Sequence, residues 1–142
     1  MTPTQLDDNV IAFLAEGTRT GKVAFVSASG RALVVPIWFI VDDGQLVFTT
    51  GVNTAKGRAL LRDPRVTLLV DDENPPFSFV QVQGTATIGE EPDDLLDIAT
   101  RIAARYMGVD LADQYGRRNG VPGELIVRVT PTKVIAEFDI AD

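Results

Sequence analysis

Apolar and polar positions along the chain divide it into short periodic segments. Leu6, Val10, Ile11, Phe13 and Leu14 recur at helical spacing between Thr4 and Glu16, with Asp7 and Asp8 in the first turn and Gly17 as the stop. Lys22–Ala28 reads as a strand, turned by Ser29-Gly30 into an apolar run over 31–41. That run contains Val34, Val35, Ile37, Ile40 and Val41 without polar alternation, which predicts a long strand covered on both faces. Asp42-Asp43-Gly44 supplies a tight turn, and Gln45–Thr50 alternates, with Leu46 and Phe48 on one face and Val47 and Thr49 on the other. The two runs form a hairpin.

A helix follows from Asn53 or Thr54 to about Arg62, stopped by Asp63-Pro64. Arg65–Asp71 is the next strand, and 71–76 an acidic, proline-stiffened loop. Phe77–Ile88 alternates, placing Phe79, Gln81, Gln83 and Thr85 on one face. This row suits either solvent, or an interface or ligand. Pro92 opens a helix to about Met107 with a broad apolar side. Residues 108–123 read as irregular, a length that often marks a working or mobile loop. Glu124–Thr130 and Lys133–Asp139, broken at Pro131, complete the sheet. About seven strands in hairpin order with three helices predict one domain over 1–142, a mainly antiparallel barrel with helices packed outside.

Composition narrows the chemistry. The 142 residues include no Cys and no His, which removes thiolate nucleophiles, sulfur-ligated metals and the commonest general base. Difficult chemistry then falls to a bound cofactor, the protein supplying position and electrostatics. A net charge of −7 argues against general nucleic-acid binding but leaves room for one local basic pocket. The carboxylates at 71–73 fit a solvated turn better than a metal site. The acidic N-terminal segment lacks the basic region of a signal peptide, and no apolar run reaches membrane-spanning length, so a cytoplasmic location is expected.

Two stretches carry candidate chemistry. Pro36 stands in mid-strand beside Trp38 and Phe39, where its missing N–H leaves the neighbouring backbone free for a ligand or marks a bulge. Thr49 to Arg58, TTGVNTAKGR, ends a strand in hydroxyls, turns at Gly51 and starts a helix beside Lys56 and Arg58. Free N–H groups, the helix dipole and two cations make a plausible phosphate cradle. Lys56 and Arg58 lie on different sides of that helix, and the same spacing also fits a surface helix with solvated basic residues.

With Pro36-Ile37-Trp38-Phe39, Phe48-Thr49-Thr50, Lys56, Leu60–Pro64 and Val82–Ala86 in view, nearly the whole chain resembles the pyridoxamine 5′-phosphate oxidase-like split-barrel family. It looks closest to the branch that uses the deazaflavin coenzyme F420. The resemblance implies an FMN-binding-type split β-barrel of six to seven strands, forming a homodimer with two interfacial cofactor sites. Carried over by position, Lys56 would hold the cofactor phosphate with Thr50, Thr54 and Arg58, and Val35, Pro36, Ile37 and Trp38 would line the ring. Thr49 would sit near the join of ring and ribityl chain, and Phe77 and Phe79 would reach the site from the partner subunit.

Two departures qualify the match. Asn53 and Thr54 stand where related flavin-binding members often carry an additional basic residue. No segment matches the substrate-binding C-terminus of the vitamin B6 oxidases, which speaks against oxidation of pyridoxamine phosphate. The implied function is an oxidoreductase passing a hydride from reduced F420 to an electron-poor alkene or quinone, with Tyr115 or water as a proton source. The alternatives are an FMN-dependent flavin reductase or oxidase of the same fold, and a non-enzymatic flavin- or F420-binding protein.

Overall fold

In a computed structural model, residues 2–142 are described. They form, in chain order, α1 (Asp8–Ala15), β1 (Gly21–Val26), β2 (Ala32–Ile37), β3 (Ile40–Asp42), β4 (Gln45–Gly51) and α2 (Ala55–Arg62). Then come β5 (Arg65–Asp72), β6 (Ser78–Gly89), α3 (Pro92–Met107), a 3-10 turn (Val109–Leu111), α4 (Ala112–Asn119) and β7 (Glu124–Glu137). The seven strands make one antiparallel sheet in the order β2-β1-β5-β6-β7-β4-β3. The edge strands β2 and β3 are consecutive in the chain and separated only by Trp38 and Phe39. Two residues cannot span a flat seven-stranded sheet, so the sheet curls until its edges meet at that corner. No ladder between β2 and β3 closes it among the described residues.

The core follows from strand alternation. Val23, Ile37, Leu46, Phe48, Leu68, Val70, Val80, Val82, Val127 and Val129 face the inside of the curl, where Val10, Phe13 and Leu14 of α1 join them. A second cluster lies on the opposite face of β4: Val47 and Ile126 pack under Leu95, Ile98 and Ile102 of α3. Glu91 caps α3, its carboxylate accepting from the N–H groups of Asp93 and Asp94, and Pro92 fills the first turn.

Several expectations are corrected. The apolar run 31–41 is two strands, because the chain leaves one sheet edge and enters the other at Trp38-Phe39; only β3 forms the hairpin with β4. It is not covered on both faces: Val34 points outward and is 64% exposed, while β4 has cover on both sides. The first helix starts later, with Asp7 rather than Thr4 as its cap. The helices number four, not three, since 112–119 is helical. Only a glycine fits where α4 meets α3: a Cβ on Gly116 would stand 2.1 Å from Thr100 Oγ1. That packing stabilises a helix whose own sequence is too polar and glycine-containing to announce it. Finally, Pro131 does not end a strand. β7 runs through it and absorbs the break itself: Gln83 and Gly84 of β6 pair with Lys133 and Pro131, leaving Thr132 of β7 as the extra, bulged residue.

Candidate anion and ring site at the sheet seam

The corner where the edges meet is pinned by α3. The Tyr106 hydroxyl accepts from the Phe39 N–H at 3.2 Å and donates to the Arg19 carbonyl at 2.8 Å. Arg105 donates to the carbonyls of Phe39, Leu14 and Gly17 at 2.8, 2.7 and 2.9 Å. Trp38 lies flat on Tyr106, with ring centroids 5.0 Å apart and planes 3° apart. Trp38 is 37% exposed, so an indole flank remains open beside the seam. Burial raises the Tyr106 phenol above its ordinary range, against the Phe39 hydrogen bond and the Arg105 charge, which lower it.

On the other side of the seam stands the turn from β4 into α2. The Thr54 hydroxyl caps α2: it accepts from the Gly57 N–H at 3.0 Å and donates to the Gly51 carbonyl at 2.8 Å. Its one proton is thereby used, so in the 3.1 Å contact with Thr50 the donor is Thr50. Thr50 is the buried polar residue of this region. These two hydroxyls hold the turn in shape and have no proton left for a ligand. Gly57 seats the helix on the strand end, since a Cβ there would stand 2.2 Å from the Gly51 carbonyl oxygen.

Lys56 projects from this turn into a cavity of about 240 Å³ lined by Pro36, Ile37, Trp38, Thr49, Ile102 and Asn119, with Ala99 behind. The expectation that the Pro36 segment and the Lys56 turn face one another therefore holds within a single chain. Burial lowers the Lys56 ammonium below its ordinary range, and the nearby Glu124 carboxylate pushes it back up. Glu124, at the start of β7, pairs with Gly51 of β4. One of its oxygens, Oε2, is buried with no hydrogen-bond partner.

The remaining expected residues are placed as follows. Val35 points inward and packs on the main core. Arg58 donates to the Asn53 carbonyl and lines a separate cleft with Ser27, Ser29 and Arg62, not the Lys56 cavity. Phe77 sits exposed in the turn before β6, and Phe79 lies across from Asp71 and Glu137 in the sheet. Neither lines the Lys56 cavity of its own chain, and Tyr115 does not either. Asp71 and Asp72, in the acidic stretch, pair with Lys22 and Arg19 at 2.9 and 3.2 Å.

Asn119, Ile102, Tyr106 and Glu124 were not legible as site residues. Ile102 and Tyr106 belong to the apolar stripe of a helix that sequence pattern assigns simply to packing. Asn119 was hidden by the reading of 108–123 as irregular. Glu124 carries no local signal, because only the pairing of β4 with β7 brings it to Gly51, at the turn that leads to Lys56.

A model of the pyridoxamine 5′-phosphate oxidase family matches residues 6–137. Among solved structures, a conserved hypothetical protein of Mycobacterium tuberculosis superposes with a TM-score of 0.80 at 23% identity, over 96% of this chain and 88% of that one. A protein described as an F420 reductase is 27% identical with a TM-score of 0.67, over 87% and 94% of the two chains. The heme storage protein of Vibrio cholerae shares the fold at 16% identity and a TM-score of 0.72, over 97% and 99%. With the match extending over almost its entire length, the chain belongs to the pyridoxamine 5′-phosphate oxidase family, the family its sequence resembles.

Proposed function

We propose that the protein is an oxidoreductase that binds a phosphorylated, flavin-like cofactor, coenzyme F420 in the first instance, with its phosphate at Lys56 and its ring along Pro36–Trp38. The observation that carries this reading is a half-buried ammonium without hydrogen-bond or ion-pair partner among the described residues, lining one cavity with a partly exposed indole. A cation held there against its desolvation cost suits an anionic group. The N–H groups of Ala55 and Lys56, ahead of the first intrahelical bond from Arg58, add the positive end of α2. Thr50 and Thr54 shape the turn rather than contact the phosphate.

Bound there, the reduced cofactor supplies a hydride for an electron-poor alkene or quinone. The chain's own part is to orient and to exclude water. The cavity wall offers the Thr49 hydroxyl and the Asn119 amide for hydrogen bonding, and no carboxylate or phenol for proton transfer.

A cavity of about 240 Å³ falls below the roughly 300–1,000 Å³ usual for a cofactor-sized ligand. We therefore include a second copy of the chain as the missing wall. The outer face of the sheet supports this. Val34, Ala24, Thr67 and Gln83 stand in register across four strands, an uncharged row beside a groove of about 660 Å³. Phe77 and Phe79 are then free to serve the neighbouring copy's site.

Titration with F420 and with FMN, followed through quenching of the single tryptophan, tests the reading. Saturable binding of F420 is expected, with Lys56→Ala weakening it at least about tenfold while the fold, by circular dichroism, is unchanged. Tight FMN binding with no response to F420 would shift the reading to a flavin enzyme. Binding of reduced F420 without its oxidation by any quinone or enone would shift it to a carrier. A Lys56→Ala variant that binds as well as the parent would remove the proposed site.

A further inference from the structure

The Asn119 side chain lines the Lys56 cavity and does nothing for the fold. It ends α4, half-buried, and shares the cavity wall with Thr49. Neither its amide nor the Thr49 hydroxyl makes a hydrogen bond among the described residues. Asparagine is also a poor helix former, so the stability of α4 does not account for it. Its place is nevertheless fixed. The Gly120 N–H donates to the Gly116 carbonyl at 2.8 Å, and a Cβ on Gly120 would stand 3.1 Å from both Ala99 Cβ and Leu96 Cα. The end of α4 lies directly on α3, at the same Ala99 that backs the cavity.

Strand register indicates which part of a ligand this corner meets. Val47 of β4 pairs with Ile40, next to the Trp38-Phe39 link, while Gly51 opens the turn that leads to Lys56. Thr49 stands between them, about 7 Å from each along the strand. It shares the face on which Val47 packs under α3, and β3 does not extend far enough to pair with it. The cavity wall therefore runs from aromatic surface, past a neutral hydroxyl and a neutral amide, to the turn that carries the ammonium. Hydroxyl and amide each donate and accept, as the hydroxyls of a polyol do. The proposed cofactor has such a polyol, the ribityl chain, between its ring and its phosphate. Resting on the reading above, we infer that Asn119 is a specificity-determining residue: with Thr49 it hydrogen-bonds the ribityl hydroxyls, so the site prefers a ring carrying that chain to the bare ring.

Asn119→Ala removes the amide, and Asn119→Leu puts a side chain of similar size there that cannot hydrogen-bond. Parent and variants are titrated with F420, with its deazaflavin ring bearing only the ribityl chain, and with the same ring bearing a methyl group in place of the chain. Riboflavin and lumiflavin are the corresponding flavin pair. Both variants should weaken F420 and the ribityl-bearing rings on the order of five- to tenfold, and the methylated rings less than about twofold. A merely structural role would weaken the two kinds of ring alike. Lys56→Ala, by contrast, should weaken F420 and leave the preference between the phosphate-free rings unchanged. A parent that binds F420 without preferring the ribityl ring overturns the inference and leaves the cofactor reading standing. So does a ring preference or an F420 affinity unchanged in both variants, or an equal loss for ribityl and methylated rings. A parent that binds neither F420, FMN nor any of the four rings overturns both.

Discussion

At the scale of single residues, the site rests on two positions whose importance comes from what surrounds them. Lys56 matters because its ammonium enters a cavity without a protein partner. Gly57 matters because α2 touches the end of β4 there, leaving no space for a side chain. Gly57→Ala should therefore destabilise the protein by about 2–3 kcal/mol by pushing the helix off the strand. It should also weaken cofactor binding, since Lys56 moves with the helix. Thermal melting and the same fluorescence titration check both effects; a variant with parental stability would mean that the helix shifts freely. The pattern TTGVNTAKGR made the turn, the helix and the lysine legible. It could not show that the two threonine hydroxyls are spent on each other and on the backbone, because hydrogen-bond direction is a three-dimensional property.

At the scale of elements, α3 is the part that makes the seam. Arg105 gathers three carbonyls from α1, from the turn after it and from the Trp38-Phe39 link, and no other donor replaces it among the described residues. Arg105→Ala should cost about 3 kcal/mol, read in denaturant midpoints, because the part-buried Phe39 and Leu14 carbonyls lose their charged donor. The stack of Trp38 on Tyr106 should loosen with it, visible as a change in tryptophan emission.

A second tie has a pH signature. Asp42 of β3 accepts from Arg101 of α3 at 2.9 Å and from Arg128 of β7 at 3.1 Å. These arginines hold its carboxyl below the ordinary aspartate value of about 3.9, more strongly than partial burial raises it. A group with a folded value below its unfolded one contributes stability that is full above the unfolded value and is lost as pH falls through the folded one. The parent should thus be more stable than Asp42→Asn near neutrality, with the difference shrinking below about pH 4; a constant difference from pH 7 to 3 would contradict this assignment. The helix α3 itself was readable end to end, from Pro92 to Met107. Its second task, holding the chain where it crosses between sheet edges, was not, since Arg105 meets partners some 90 residues earlier in the chain.

At the scale of the whole molecule, packing within the chain explains only one face of β2, the one that carries Val35 and Ile37. The sequence predicts cover on both faces, yet Val34 is open to solvent in one copy. The second copy proposed above would cover this face and account for the pattern. The protein should then migrate in sedimentation or size-exclusion experiments at about twice its 15.3 kDa, and Val34→Glu should shift it to the monomer. If the partner also completes the cofactor site, that variant should lose cofactor affinity although Val34 does not line the Lys56 cavity. A monomeric parent that still binds cofactor tightly would separate the two proposals. Among the described residues no helix is long and apolar enough to cross a membrane.

Alternation, turn residues and caps determined most strand and helix positions by themselves, because those signals act between neighbours in the chain. The sequence by itself also shows that His and Cys are absent, which removes imidazole and thiolate chemistry. Only tertiary structure decided that residues 31–41 divide between the two edges of one sheet, that 112–119 folds as a helix against Thr100, and that Glu124 pairs with Gly51 at the turn before α2. Each of these depends on contact between segments far apart in sequence, where a side chain's partner is set by the curl of the sheet rather than by the residues next to it.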